Sequence, residues 1–285
     1  MQTPKAFEPA AFTRESQQAW DKVAHHYDTL IADKLFNVLT KESLAAAALK
    51  DGEEILDVAC GPGNLSLPAA SAVSERGHVT GIDLAPAMIA IASAKAVATG
   101  TRNAVFQTMN AESMTLADES FDVVFCQLGL MLFAEPHKAL KEMRRVLKRG
   151  GRAVVVVQGS PDKMLFTSLV QKTIVRHAPW MRVAGAPTIY SFGPQGVLIQ
   201  AVSDAGFSSA RERRLAGCFI FDSFDHYWDT LITGAGKTKS MLETLDEGLR
   251  RAIKGDVRTQ AAKFAVDERL SIPYEAVMVT AGTSR

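Results

Sequence analysis

Asp57-Val-Ala-Cys-Gly-Pro-Gly-Asn64 lies between a β-rich run and a helical stretch, and the rest of the fold follows from what flanks it. Gly61 and Gly63 permit a tight turn and the close approach of a ligand to the backbone. The helix that follows presents free N–H groups and the positive end of its dipole to this turn. The segment is therefore typical of a site for an anionic or polar nucleoside-type ligand, although such a turn is often only a strand–helix connection.

Short β-rich runs alternate with helical stretches on both sides of this turn, from Glu54 to Gln158. The alternation predicts an α/β fold with a doubly wound parallel sheet, covered by helices on both faces. Apolar runs such as Ala-Val-Val-Val-Val at 153–157 suit strands that are buried on both faces. Strands are predicted at 54–59, 78–83, 104–109, 121–126, 152–158, 210–222 and 271–282.

The same pattern divides the chain into three parts. Residues 1–50 are predicted as an N-terminal helical segment, which the resemblance described below implies is a lid, and residues 51–158 as the ligand-binding core. Residues 159–285 complete the sheet and carry two helical insertions, at about 159–190 and 223–265. Both insertions would leave from the carboxyl ends of strands, where open α/β sheets bind ligands, so they are candidate substrate lids.

Composition narrows the class of partner. With 32 Lys and Arg against 31 Asp and Glu, the formal net charge is +1, so no global field would attract nucleic acid or an acidic membrane. The three cysteines form no CxxC pair, which argues against disulfides and a zinc site and fits a reducing compartment. There is no basic-then-apolar leader and no apolar run of about 18–20 residues. We therefore expect a cytoplasmic protein without a membrane span or a bound metal, with a homodimer left open.

Asp83 ends the second predicted strand, twenty residues after Gly63. A carboxylate at this position can accept hydrogen bonds from the two vicinal hydroxyls of a ribose. The alternative is an N-cap for the helix that begins at Ala85-Pro86, and the two roles do not conflict. A nicotinamide oxidoreductase would share the glycine turn and the acidic residue, but the third glycine of GxGxxG is missing after Gly63.

Four sequence blocks occur in a fixed order: DVACGPGN (57–64), GIDLAPAMIAIA (81–92), NAESMTLADESFDVVFCQLGLMLF (110–133) and KALKEMRRVLKRGGRAVVV (138–156). This order resembles class I S-adenosylmethionine-dependent methyltransferases, specifically the ubiquinone/menaquinone-biosynthesis group and its small-molecule relatives. The match covers about half of the chain, from Trp20 to Gln158. It implies a Rossmann-like sheet of seven strands with an antiparallel last strand, and methyl transfer from S-adenosylmethionine to a small molecule.

The resemblance also implies which residues bind the cofactor. The glycine turn would lie against its methionine part, Asp83 would hold the ribose, and Leu84 and Met88 would flank the adenine. An Asn-Ala pair after the third strand is similar to an adenine clamp, and an amide suits the donor–acceptor edge of adenine. The full set of implied positions is Tyr27, Ala59, Gly61, Gly63, Asp83, Leu84, Met88, Asn110, Ala111 and Gln127.

The acceptor side departs from the family. Where the quinone enzymes carry Arg-Asn after the glycine that matches Gly129, this chain has Leu130-Met131-Leu132-Phe133, so a quinone substrate is not implied. The insertions are rich in aromatic residues, which predicts a small, apolar or aromatic acceptor, methylated on O or C by in-line displacement. The residues concerned are His177, Trp180, Met181, Tyr190, Phe192, Phe219, Phe221, Phe224, His226, Tyr227 and Trp228.

A general base would assist methylation of a hydroxyl or a carbon acid. No spacing selects one, and the candidates are Tyr27, His26, His177 and His226. Because no base is evident, the same fold could bind S-adenosylmethionine without methyl transfer, as a binding module or a non-methylating catalyst. This alternative and the nicotinamide oxidoreductase stand beside methyl transfer at this point.

Overall fold

Seven strands form one mixed sheet in the computed structural model, which describes residues 7–284. Numbered in chain order together with a further two-residue strand, they are β1 (Glu54–Val58), β2 (His78–Asp83), β3 (Ala104–Thr108), β4 (Phe121–Gln127), β5 (Leu147–Gln158), β6 (Ser208–Phe221), β7 (Ala265–Val266) and β8 (Arg269–Gly282). Their order is β3-β2-β1-β4-β5-β8-β6, and β7 pairs with β8 alone. Strands β1 to β5 run parallel, whereas β8 is antiparallel to β5 and β6. The predicted seven-stranded sheet with an antiparallel last strand is confirmed.

The helices cover both faces of the sheet and extend beyond its carboxyl edge. They are α1 (Pro9–His26), α2 (Asn37–Ala47), α3 (Ser66–Ala72), α4 (Pro86–Thr99), α5 (Pro136–Val146), α6 (Leu165–His177), α7 (Val197–Asp204), α8 (Phe224–Gly234), α9 (Gly236–Glu243) and α10 (Glu247–Ala261). Helix α1 continues without a break into a π-helical turn, Tyr27–Ala32. The first six residues of the predicted N-terminal lid lie outside the described residues.

Proline and glycine set several helix ends. Helices α1, α4 and α5 each begin at a proline, whose missing N–H has no partner to lose in the first turn. Helix α4 ends at Gly100, which adopts φ +70°. Helix α5 ends at Val146, earlier than the pattern predicts, so Lys148 and Arg149 belong to β5.

The chain reverses its direction of travel across the sheet between β1 and β4. Strands β1 to β3 run outward to one edge, after which the chain returns to place β4 on the other side of β1. Ligands of open α/β sheets bind at such a switch point, outside the carboxyl ends of the strands. The carboxyl ends of β1, β2 and β4 therefore mark where a site should lie.

The aromatic side chains of the insertions pack around the extended β6–β8 pair. Phe219 stacks on Tyr274 with 4.2 Å between ring centroids, and Phe166 meets Phe219 edge-on at 5.1 Å. Tyr227 is fully buried and donates its hydroxyl hydrogen to the Phe166 backbone oxygen at 2.8 Å. Phe166 and Tyr227 of the insertions thus pack on the long strand pair, where the sequence pattern predicts an acceptor pocket.

The second insertion supports α1 from outside. A Cβ on Gly236 of α9 would lie 2.9 Å from the Ala19 carbonyl oxygen, so the absence of a side chain lets α9 approach α1 closely. At the end of α8, a Cβ on Gly234 would lie 2.7 Å from Ile31 Cδ1. The insertion thus holds the N-terminal helical segment against the core.

Within residues 7–284, no helix combines the length and the apolar character needed to cross a bilayer. In that same part of the chain, His, Cys, Asp and Glu nowhere gather in a group of three or more that could bind a metal ion.

Candidate active site

A cleft lies at the carboxyl ends of β1, β2 and β4, under α1. It contains about 770 Å³ of space not filled by atoms, part of it open to solvent. Nine of the ten cofactor positions expected from sequence line it: Tyr27, Ala59, Gly61, Asp83, Leu84, Met88, Asn110, Ala111 and Gln127. Sequence reasoning missed ten further lining residues, which are Thr13, Ser16, Trp20, Met109, Glu112, Leu128, Gly129, Leu132, Phe133 and Ala134.

Two facing loops of the cleft hold non-glycine residues in the left-handed region. Ala59, after β1, has φ +55°, and Leu128, after β4, has φ +59°. Such a conformation costs an L-residue roughly 1–2 kcal/mol, so the surrounding structure must enforce it. The loops touch at Gly129, where a Cβ would lie 2.5 Å from Ala59 Cβ. Gly129 is therefore required for the two loops to meet.

Gly63 lies outside the cleft lining. Its φ is +82°, and a Cβ there would lie 3.2 Å from Ala92 Cβ and 3.4 Å from Phe106 Cζ. The residue thus allows the turn to pack closely on α4 and β3. Its contact with a cofactor remains a prediction.

Asp83 joins the glycine turn to the start of α4. One carboxylate oxygen accepts a hydrogen bond from the Gly61 N–H and the other from the Ala85 N–H, both at 2.9 Å. Burial raises the pKa of Asp83 to about 6, and these two hydrogen bonds oppose the rise. Each oxygen keeps a lone pair that can accept from a ligand. Both sequence interpretations of Asp83, as a helix-start acceptor and as a ligand-binding carboxylate, fit this geometry.

Asp57 lies behind the turn and is fully buried. It accepts a hydrogen bond from the Ser66 hydroxyl at 2.6 Å, and burial raises the pKa of Asp57 to about 7. Because the folded-state pKa exceeds the unfolded value, the protonated form is favoured on folding, and this contribution disappears as the pH rises through 7. The Asp57→Asn side chain does not titrate. As the pH rises from 5 to 8, we therefore expect the melting temperature of wild type to fall relative to that of Asp57→Asn.

Thermal unfolding of both proteins at several pH values checks this prediction. Ser66→Ala, which removes the hydroxyl but leaves the carboxyl in place, serves as the control and should retain the dependence on pH. A melting-temperature difference between Asp57→Asn and wild type that stays constant over this range would show that Asp57 does not titrate as described.

The Asn110 side chain is fixed by a local turn. Its Oδ1 accepts a hydrogen bond from the Glu112 N–H at 2.9 Å. The Met109 N–H donates to the Asp83 backbone oxygen at 2.9 Å, which ties this segment to the end of β2. The amide NH2 group and a second oxygen lone pair are available to a planar ligand edge.

Gln127 ends β4 and is held from behind by α2. Ser43 Oγ donates to Gln127 Oε1 at 2.8 Å, and Gln127 Nε2 donates to Thr40 Oγ1 at 3.0 Å. Thr40 and Ser43 are buried, so these hydrogen bonds are shielded from water. The side-chain amide is therefore committed to α2, and Gln127 positions the loop that continues into Leu128 and Gly129.

Helix α1 covers the open side of the cleft. Trp20 and Tyr27 meet edge to face at 5.2 Å between ring centroids, and Tyr27 Cε1 approaches Gly61. Burial, Asp83 and Asp28 raise the pKa of Tyr27 far above its usual range. Tyr27 is consequently a neutral phenol over the physiological range.

The three histidine candidates for a general base lie outside the cleft lining. His26 is exposed at the end of α1. His177 Nε2 lies 2.7 Å from Asp256 Oδ2, and His226 Nδ1 accepts from the Asp222 N–H at 3.3 Å. Of the four sequence candidates, only Tyr27 lines the cleft.

Comparisons with known proteins agree with this architecture. A family model described as a methyltransferase domain matches residues 49–173. The chain is 30% identical over 176 residues to the aklanonic acid methyltransferase DauC of Streptomyces sp. strain C5, over 60% of this chain and 80% of that protein. The chain belongs to the S-adenosylmethionine-dependent methyltransferases. The donor that the sequence blocks imply is thus confirmed, and the nicotinamide alternative is set aside.

Other similarities extend over more of this methyltransferase. It is 28% identical over 212 residues to the ubiquinone/menaquinone biosynthesis C-methyltransferase UbiE of Pseudoalteromonas translucida strain TAC 125, over 70% of the chain and 84% of that protein. Among solved structures, the [4+2]-cyclase SpnF superposes with a TM-score of 0.61 and 18% identity, covering 100% of both chains. That likeness shows the fold, including the parts outside the matched domain.

Proposed function

We propose that this enzyme transfers the methyl group of S-adenosylmethionine to a small, largely apolar or aromatic acceptor, on an oxygen or carbon atom. One observation carries the acceptor class. The cleft-lining residues found within 7–284 include Trp20, Leu128, Leu132 and Phe133, but no Lys, Arg or His. A site of this composition favours apolar surface and offers no cationic side chain to a phosphorylated acceptor.

The polar groups of the cleft fit the cofactor. The Asp83 carboxylate would accept from the ribose hydroxyls, while Met88 would lie against the adenine and Asn110 would pair with its edge. The left-handed turn at Ala59 and Gly61 brings backbone close to where the methionine part would lie. The donor set supports this assignment because it contains a carboxylate for a diol and an amide for adenine.

When bound, the cofactor supplies an electrophilic methyl group on a positively charged sulfur. An electron pair of the acceptor atom forms the new bond to the methyl carbon. The carbon–sulfur bond breaks at the same time, and the electron pair of that bond stays on sulfur. The protein must align the acceptor and exclude water, and alignment alone is worth several kcal/mol. The apolar wall supports both tasks.

A proton must leave a hydroxyl or carbon acceptor during the reaction. Tyr27 is a neutral phenol and cannot remove it at physiological pH. We infer that this proton leaves to solvent or to the Glu112 carboxyl, which also lines the cleft.

The names of two relatives support a small acceptor. One relative is named for aklanonic acid, and the other for a C-methylation in ubiquinone/menaquinone biosynthesis. The apolar Leu130–Leu132 turn replaces the Arg-Asn that the quinone enzymes carry, so we do not propose a quinone here.

Methyl-labelled S-adenosylmethionine tests this function. We expect wild-type enzyme to label uncharged or singly acidic aromatic compounds, and to leave phosphorylated analogues of the same compounds unlabelled. Preferential labelling of the phosphorylated analogues would overturn the acceptor class. If S-adenosylhomocysteine binds but the small-molecule fraction of a cell extract accepts no label, the chain binds the cofactor without transfer.

Cofactor binding should depend on pH through Asp83. Its pKa of about 6 implies that only roughly a tenth of the carboxyl is ionised at pH 5. Because the carboxylate is the acceptor for the ribose hydroxyls, we expect the affinity for S-adenosylhomocysteine to fall about tenfold from pH 7.5 to pH 5. Calorimetry measures this change, and Asp83→Asn should bind weakly with no such dependence. Equal pH profiles for both proteins would contradict the assignment.

A further inference from the structure

Helix α1 is tied to α4 by polar contacts that lie outside the cleft lining. The Ala87 N–H, in the first turn of α4, donates to Asp21 Oδ1 at 3.0 Å. Lys95 lies about two helical turns further along α4. Its ammonium pairs with Asp28 and also donates to Asn64 Oδ1 at 3.1 Å. One set of contacts therefore joins the N-terminal segment, α4 and the glycine turn.

Both contacts provide partners for groups that the local structure leaves without one. The N-cap of α4 is Ala85, whose methyl side chain cannot accept a hydrogen bond from the first N–H groups of the helix. Asp21 of α1 supplies a carboxylate acceptor there instead. Asp28 is buried, with 9% of its surface exposed, and pairs with the Lys95 ammonium, so breaking the pair leaves a buried charge without a partner.

The π-helical turn gives neighbouring residues different tasks. Tyr27 lines the cleft, whereas Asp28, the next residue, reaches Lys95. π-Helical turns inside helices are frequent at functional sites because they change side-chain directions locally. A movement of this turn away from α4 would therefore break the Asp28–Lys95 pair and carry Tyr27 away from Gly61.

We propose that Asp21, Asp28 and Lys95 form a latch that sets the rate at which S-adenosylmethionine enters and S-adenosylhomocysteine leaves. This inference rests on the proposed function, since it requires the cofactor to lie in the cleft under α1. Thr13, Ser16 and Trp20 of α1 and Tyr27 of the π-helical turn cover the cleft, so exchange on this side requires this segment to separate from α4. The three latch residues act through α1 and are positioning residues.

The test measures release of radiolabelled S-adenosylhomocysteine from the full chain after addition of excess unlabelled compound. We expect the dissociation rate to rise about tenfold in Asp28→Asn and in Lys95→Met, because each loses a charge-assisted hydrogen bond in the closed state. The double variant should be no faster than the faster single variant, since both remove the same interaction.

Asp225→Asn is the matched control. Asp225 Oδ1 pairs with Lys254 Nζ at 2.7 Å on the second insertion, outside the cleft lining, and its loss should leave the release rate unchanged. Asp21→Ala removes the acceptor of the Ala87 N–H, keeps the buried pair intact and should also speed release. Amide hydrogen exchange of α1, measured without ligand, should accelerate in the latch variants but not in the control.

The outcomes separate the latch from the proposed function. If wild-type protein does not bind S-adenosylhomocysteine, the cofactor assignment of the cleft fails. If it binds, and folded Asp21→Ala and Asp28→Asn proteins release it within about twofold of the wild-type rate, the latch is wrong and the cofactor assignment stands. If Asp28→Asn does not fold, Asp21→Ala decides the question.

Discussion

Asp83→Ala is expected to lower the affinity for S-adenosylhomocysteine by at least about 100-fold. The carboxylate would accept hydrogen bonds from the two ribose hydroxyl groups. Each hydrogen bond to a charged group contributes about 1.5–3 kcal/mol to the free energy of binding. The substitution also removes the acceptor for the Gly61 and Ala85 N–H groups, so the turn loses its tether to α4. Isothermal titration calorimetry at pH 7.5 measures the effect.

Asp204→Ala is the control for this variant, because Asp204 is exposed at the end of α7 and its partner is Gln200 of the same helix. It should bind as wild type does. Asp83→Ala protein that is folded, by its melting curve, and binds S-adenosylhomocysteine with unchanged affinity would remove Asp83 from the site.

Gly129→Ala is expected to weaken both the fold and cofactor binding. The added Cβ would lie 2.5 Å from Ala59 Cβ and 3.2 Å from Cys126 Sγ, so the two loops must separate. Overpacking of this kind costs about 1–3 kcal/mol, which corresponds to a fall of roughly 2–10 °C in melting temperature. We expect the affinity for S-adenosylhomocysteine to fall at least about tenfold as well, since Ala59 lines the cleft.

Gly255→Ala is a matched control on α10, where a Cβ meets no atom within 4 Å and the backbone is helical. This change should leave binding unchanged and stability equal or higher, because alanine is the better helix former. If Gly129→Ala matches Gly255→Ala in both measurements, the loops do not need the close contact described here.

The core of the fold could be predicted because its signals are local. Apolar runs mark strands buried on both faces, and Pro86, Pro136 and Gly100 mark helix ends. Each run is short enough for its period to show, and all seven predicted strands are present. The start of β5 was missed because its residues from Leu147 are polar and basic, a pattern that a helix shares.

The cleft could be predicted only in part. The motif residues line one part of it, whereas other lining residues come from α1 and from the loop after β4. The apolar Leu130–Leu132 turn was visible as a departure from the quinone enzymes, yet its position in the cleft was not. Thr40 and Ser43 carry a weaker signal, two hydroxyls on one face of an Ala-rich helix. Their bonds to Gln127 join residues 84 and 87 positions apart, and no local pattern indicates such a distance.

The insertions show that a sequence pattern can also predict a pocket where the structure has a packed core. Their aromatic residues have the composition of an apolar pocket, but a core has the same composition, and sequence cannot separate the two. In the structure, Phe219 and Tyr227 cover the β6–β8 pair, while Trp180 is 67% exposed. The apolar residues that line the cleft come instead from α1 and from the loop after β4.

A crystal structure of the chain with S-adenosylhomocysteine tests the account most directly. We expect the ribose hydroxyls on the Asp83 carboxylate, the adenine between Met88 and Asn110, and the sulfur beside Ala59, facing the wall formed by Leu132 and Phe133. A ligand bound outside the cleft, or one whose sulfur faces away from that wall, would contradict the assignment of the cleft as the site of methyl transfer.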